Sequence, residues 1–216
     1  MASSKPMLWG SQPTRATRIH WILTELKVDF DVTPVDFFGG AHKLPAFLAV
    51  NPAATVPAFR ESPTSPVMTE SGAVVQYILA RYGKDSPLVP SPGTPEHALY
   101  LQWFWFAEAT SMQAITQVAH HSMMLPEEKR VPWILESATK TVTMHLGSYE
   151  AHFASTGNKY LIGDQLTAAD IMNVMGLYLC VNFIKLLDAS KFPKLSAYYE
   201  LLTTHEGFKR AYDVPL

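Results

Sequence analysis

The chain has 216 residues, enough for one large domain or two modest ones around a real core. Hydrophobic residues at 48% against 17% charged argue against disorder, and a formal net charge of −2 gives no electrostatic case for nucleic acid or an anionic membrane surface. The single cysteine, Cys180, excludes an internal disulfide, a CxxC redox pair and a thiolate zinc site, and it fits a reduced, cytoplasmic setting.

The opening MASSKPM has no apolar run of the kind a secretory signal needs. Met7-Leu8-Trp9 reads as a short strand, and Gly10 to Pro13 as a turn. Ile19, Ile22, Leu23 and Leu26 recur at helical spacing and predict one apolar helix face. Phe30, Val32 and Val35 suggest a second strand. Gly39-Gly40 marks a loop, and Phe47, Leu48 and Val50 a short helix stopped at Asn51-Pro52. Val56–Phe59 and Val67-Met68 read as a hairpin, and Val74, Val75, Ile78, Leu79 and Tyr82 as a helix face ending at Gly83. The order is βαβ-α-ββα. The segment SPLVPSPGTP, residues 86–95, carries four prolines and reads as a semi-rigid linker.

Beyond the linker no strand is evident. Helices are expected over Pro95–His121, Pro132–Ser155, Thr167–Leu187 and Pro193–Thr203, with a shorter one at the end. Thr167-Ala-Ala-Asp170 before an apolar run is a capping box. The most apolar stretch, Met172–Ile184, is too short and too marked by asparagine to span a bilayer. The fold class is therefore α/β plus all-α: a domain over 1–85, a linker over 86–95 and an all-helical domain over 96–216. The pair His120-His121 is a poor metal signal, since adjacent helix residues face different ways, and no metal site is expected.

Two hydroxyls, Ser11 and Thr14, stand in WGSQPTRATRIHW (9–21) just ahead of the first helix. With GGAHKLPAFLAVNPAATVPAF (39–59), TESGAVVQYILARYG (69–83) and YLIGDQLTAADI (160–171), in this order and spacing, the chain resembles a cytosolic glutathione transferase over nearly its whole length. The resemblance implies a thioredoxin-like N-terminal domain that holds glutathione, a hydrophobic second-substrate site against the helical domain, a cytoplasmic homodimer, and a detoxification role. It implies a cis Val56-Pro57 bond, with Thr55, Val56 and Pro57 presenting strand-like backbone to glutathione. Glu70 and Ser71 resemble the acid-serine pair that meets the γ-glutamyl ammonium and carboxylate. His42 and Lys43 stand where basic groups meet the glycyl carboxylate. Read without the resemblance, Ser71 is an N-cap and Glu70 a first-turn acid.

The chemistry sets a demand. A free thiol titrates near about 8.5, and lowering it by about two units requires about 2.7 kcal/mol of preference for the thiolate. One hydroxyl donating to sulfur is worth about 1.5–3 kcal/mol, and a helix N-terminus adds about 0.3–1 kcal/mol. Ser11-Gln12-Pro13-Thr14-Arg15 resembles the serine-type theta and delta classes, with threonine where they carry cysteine, and places the donor at Ser11. A second alignment, to bacterial and fungal members reading Ser-Arg-x-x-Arg-x-x-Trp, places it at Thr14. Gly10 and Pro13 favour the first. Without the resemblance both are turn or cap hydroxyls. The electrophile site is expected from Trp103, Trp105, Phe106, His120, Met123 and Met124, residue types that serve equally as helix core. The expected activity is conjugation of glutathione to hydrophobic electrophiles. The alternatives are a glutathione-dependent dehalogenase, isomerase or peroxidase, or a weakly catalytic ligand-binding or interaction module.

Overall fold

The computed structural model describes residues 5–212. They form two compact units: one takes in residues up to Ser86 and those from Thr204 onward, the other Pro87–Thr203.

In the first unit β1 (Met7–Gly10) lies between β2 (Asp31–Pro34), parallel to it, and β3 (Ala58–Arg60), antiparallel to it. A parallel pair needs a crossover, and α1 (Ala16–Glu25) supplies it. Alternation along β1 sends Leu8 to one face. It is fully buried there, as are Ile19, Ile22 and Leu23 of α1 and Val74, Val75 and Ile78 of α3 (Ser71–Tyr82). Trp9 points the other way, against Val35, Phe47, Val56 and Ala58. Phe47 comes from α2 (Pro45–Leu48), which follows a 3-10 turn at Ala41–Lys43. A Cβ at position 10 would stand 2.3 Å from the Ala16 Cβ, so glycine is what lets α1 begin this close to the strand end.

One expectation changes here. Val67-Met68 is not a full strand: Met68 makes a single bridge to Phe59, with N–H to C=O distances of 2.7 and 2.9 Å. Pro66 lacks the N–H that would extend the ladder, and the chain turns into α3 two residues later. The helix α9 (Glu206–Tyr212) belongs to the first unit and packs on α1. Phe208 meets Trp21 edge-on at 5.7 Å, and Gly207 permits the approach, since a Cβ there would fall 2.1 Å from Trp21 Cδ1.

The second unit has no strand among its described residues. The helix expected over Pro95–His121 runs to Met124, but in four pieces: α4 (Pro95–Trp105), a π-helical segment Phe106–Ser111, α5 (Met112–Ala119) and a second π-helical segment His120–Met124. Then come α6 (Pro132–Thr156), α7 (Ala168–Asn182) and α8 (Pro193–Thr203). Helix α7 stops before the expected Leu187 because the Leu186 and Leu187 N–H groups fold back onto the Cys180 C=O. Both limbs of the Thr167–Asp170 capping box are present. The fully buried Asp170 carboxylate also accepts from Leu161 N–H at 2.9 Å and Tyr198 O–H at 2.7 Å. Burial raises its pKa against these bonds. Among the described residues no helix is long and apolar enough to cross a membrane.

Candidate active site

The corner between β1 and α1 is tightly bonded. Thr14 Oγ1 donates to the Ser11 C=O at 2.5 Å and accepts from the Ala16 N–H at 3.2 Å, so it stands on the free N–H groups that open α1. Thr17 Oγ1 hydrogen-bonds the Thr14 C=O at 2.8 Å. Ser11 Oγ is sealed from solvent and has no hydrogen-bond partner among the described residues. Ser11 as a whole is half-buried, whereas Thr14 is 7% exposed. The Gln12-Pro13 bond is cis, which the sequence did not signal.

Val56-Pro57 is cis, as the resemblance implies. Val56 and Pro57 are buried and Thr55 is exposed. Among the described residues the Val56 N–H and C=O make no hydrogen bond, which leaves one donor and one acceptor for an extended ligand. Asn51 shapes the approach to this edge: its Nδ2 donates to the Thr55 C=O and Oγ1, and its Oδ1 accepts from the Ala53 N–H. The sequence reading saw Asn51 only as a helix stop.

Ser71 opens α3 and is 4% exposed, with its Oγ accepting from Arg18 Nη1 at 3.1 Å. Arg18 is fully buried. It was missed as a site residue, although the Arg-x-x-Arg spacing of the second alignment contains it. A buried guanidinium is a fixed positive charge in low dielectric, where it favours an anion strongly. Glu70, exposed, carries φ 66° and ψ 102°, a conformation a residue with a Cβ rarely adopts.

His42 and Lys43 separate. His42 is 7% exposed and stacks on Phe37 at 4.4 Å, with its Nδ1 sealed and unpartnered among the described residues. Lys43 is exposed.

The residues expected to line the electrophile site divide as well. Trp103 is core of the helical unit: it stacks on Tyr149 at 4.9 Å and meets Phe106 at 5.2 Å and His152 at 5.0 Å. Neighbours from α6 occupy its face. Phe106 is half-buried in the same cluster, against His145 and Tyr149. His120, half-buried, shares the second π-helical segment with Met123 and Met124, which are 42% and 45% exposed, and Trp105 is 42% exposed at the end of α4. The Cys180 thiol is buried and pushed up to about 12, so it is no nucleophile. Among the described residues no group of three or more His, Cys, Asp or Glu side chains could hold a metal ion.

Residues 6–80 match the family model "Glutathione S-transferase, N-terminal domain", and residues 117–211 match "Glutathione S-transferase, C-terminal domain". The chain belongs to the glutathione S-transferase family. The transferase is 32% identical over 155 residues to glutathione S-transferase 3 of Zea mays, covering 71% of this chain and 68% of the relative. It is 29% identical to glutathione S-transferase F13 of Arabidopsis thaliana, covering 93% and 92%. The fold is also that of the glutathione transferase URE2P8 from Phanerochaete chrysosporium, solved with oxidized glutathione, at a TM-score of 0.85 with 22% identity and coverage of 98% and 95%. The transferase thus has the thioredoxin-like N-terminal domain and helical C-terminal domain of its family.

Proposed function

We propose that the transferase binds glutathione on its first unit, stabilises the thiolate at the start of α1, and adds it to a hydrophobic electrophile. The observation that carries this reading is the bond from Arg18 to Ser71, which ties the helix bearing the thiol corner to the start of α3. In this reading Ser71 Oγ, the opening N–H groups of α3 and the Arg18 charge receive the γ-glutamyl carboxylate, and Glu70 receives the ammonium. Val56 pairs its free backbone groups with the cysteinyl residue, after Thr55 and before Pro57. His42 and the exposed Lys43 receive the glycyl carboxylate.

For the donor to sulfur we favour Thr14 over Ser11. Thr14 Oγ1 sits on the positive end of α1, accepting from the Ala16 N–H. Its proton rests on the Ser11 C=O in the free protein, and a hydroxyl rotation turns it to sulfur. The exposed Met123, Met124 and Trp105 and the half-buried Phe106 and His120 supply the adaptable apolar side chains that varied electrophiles need.

Titration of bound glutathione by thiolate absorbance tests the reading. The wild type should lower the thiol pKa from about 8.5 by one to two units. Thr14→Ala should return it most of the way, and Thr14→Ser should keep it low. A raised pKa in Ser11→Ala with none in Thr14→Ala would move the donor back to Ser11. An unshifted wild-type pKa, with no turnover of a broad electrophile panel, would end the transferase reading.

A further inference from the structure

Hydrogen bonds join the proposed thiol corner to α9. Gln12 Nε2 donates to the Ala211 C=O at 2.5 Å, and Thr17 Oγ1 hydrogen-bonds the Tyr212 hydroxyl at 2.9 Å. The Thr17 hydroxyl carries one proton and has two neighbours in line, the Thr14 C=O at 2.8 Å and Tyr212 Oη. Tyr212 therefore reaches the Thr14 backbone through one intermediate side chain. Every member of this chain is buried: Thr17 is 0% exposed, and Thr14 and Tyr212 are each 7% exposed.

Tyr212 is itself held. Its ring stacks on Phe208 at 4.5 Å and 15°, and Phe208 meets Trp21 of α1 edge-on. The close seat at Gly207 fixes how far along α1 the helix α9 sits. Removed from water and packed against Phe208, a hydrogen bond in this place constrains geometry more than a surface bond does.

We propose that Tyr212 is a positioning residue for the thiolate: through Thr17 it fixes the Thr14 carbonyl, and with it the direction in which the corner hydroxyl points. The inference rests on the reading that the Ser11–Thr14 corner holds the glutathione sulfur. A donor to sulfur weakens steeply as its angle departs from linear, so a small rotation of the Thr14 peptide costs thiolate stabilisation without removing any group.

The test uses the full chain with Tyr212→Phe, Thr17→Val, Thr17→Ser and the double variant Thr17→Val/Tyr212→Phe. Three quantities are read on each: the pKa of bound glutathione, the pH profile of kcat/KM with a small aromatic electrophile, and Tm. Tyr212→Phe should raise the bound thiol pKa by about 0.5–1 unit, which is a three- to tenfold loss of thiolate below that pKa. The acidic limb of the pH profile should move by the same amount, with KM for the electrophile unchanged. Thr17→Val should do likewise, Thr17→Ser should not, and the double variant should shift no further than either single one. A lower Tm with the thiol pKa at its wild-type value would make Tyr212 merely structural and overturn the inference. A wild type that leaves the thiol unshifted would instead remove the underlying reading, so the two failures are told apart.

Discussion

Asn51 and Thr55 are joined by two hydrogen bonds, from Asn51 Nδ2 to the Thr55 C=O at 2.7 Å and to Thr55 Oγ1 at 3.1 Å. A third bond, from the Ala53 N–H to Asn51 Oδ1, closes the loop from inside. Asn51 is 3% exposed while Ala53 and Thr55 are exposed, so these bonds run from a buried side chain to the surface. Replacing it with alanine leaves the Thr55 carbonyl and the Ala53 N–H without these partners. Asn51→Ala should lower stability by about 1–3 kcal/mol. It should also weaken glutathione binding by calorimetry, because the Val56 edge next in the chain loses its support. Unchanged affinity in a folded Asn51→Ala protein would separate the loop from the ligand site.

Arg18 gives a second prediction. Its buried guanidinium bonds Ser71 Oγ at 3.1 Å. Arg18→Met keeps the volume and removes the charge. Glutathione affinity should fall about ten- to a hundredfold, the range of one charge-assisted hydrogen bond. Ser71→Ala should cost less, since the charge stays. S-methylglutathione should lose as much affinity as glutathione in both variants, because the sulfur is not involved.

His20 predicts a pH dependence of stability. Burial, with a smaller contribution from the Arg210 charge, lowers its pKa to about 4. It lines a groove with Lys27, Asp29, Phe30, Glu206 and Arg210, and its Nδ1 has no hydrogen-bond partner among the described residues. The unfolded chain, titrating near about 6.5, binds more protons than the folded one between that value and about 4. Stability contributed by neutral His20 is therefore whole above the unfolded pKa and is lost as the pH falls toward 4. His20→Gln should flatten the slope of urea-unfolding free energy between those pH values. An unchanged slope would place the acid sensitivity elsewhere.

Gly207 predicts a steric cost. The Cβ of Gly207→Ala would lie 2.1 Å from Trp21 Cδ1 and 2.3 Å from Nε1, and Trp21 is fully buried with its Nε1–H on Glu25. The indole cannot move aside without giving up that bond. The substitution should destabilise by about 1–3 kcal/mol, at about 2–4 °C of Tm for each kcal/mol.

Local periodicity carried much of the fold. The helix expected over Pro193–Thr203 is observed at those bounds, and the Thr167–Asp170 box was readable because both of its partners lie within one turn. Features that depend on distant contacts were not readable. The π-helical segments at Phe106–Ser111 and His120–Met124 are short insertions with no residue-type signature, so nothing local marks them. The apolar face of Phe208, Ala211 and Tyr212 shows that α9 packs, but not on what. Trp103 reads alike as core or pocket by type and spacing, and the rings of Tyr149 and His152 that pack on it come from α6, much further along the chain.

The seat of α9 also orders events during synthesis. Residues 5–86 leave the ribosome long before 206–212, with the whole of the second unit emerging between them. Until then the Trp21 face of α1 has neither Phe208 nor Gly207 against it, and Gln12 and Thr17 lack Ala211 and Tyr212. The nascent first unit can build its sheet early, but the corner between β1 and α1 reaches final form only once residues 206–212 have been made. A gene fragment encoding residues 1–86 alone would express a protein with a bare tryptophan face, more prone to aggregate than the same residues within the full chain.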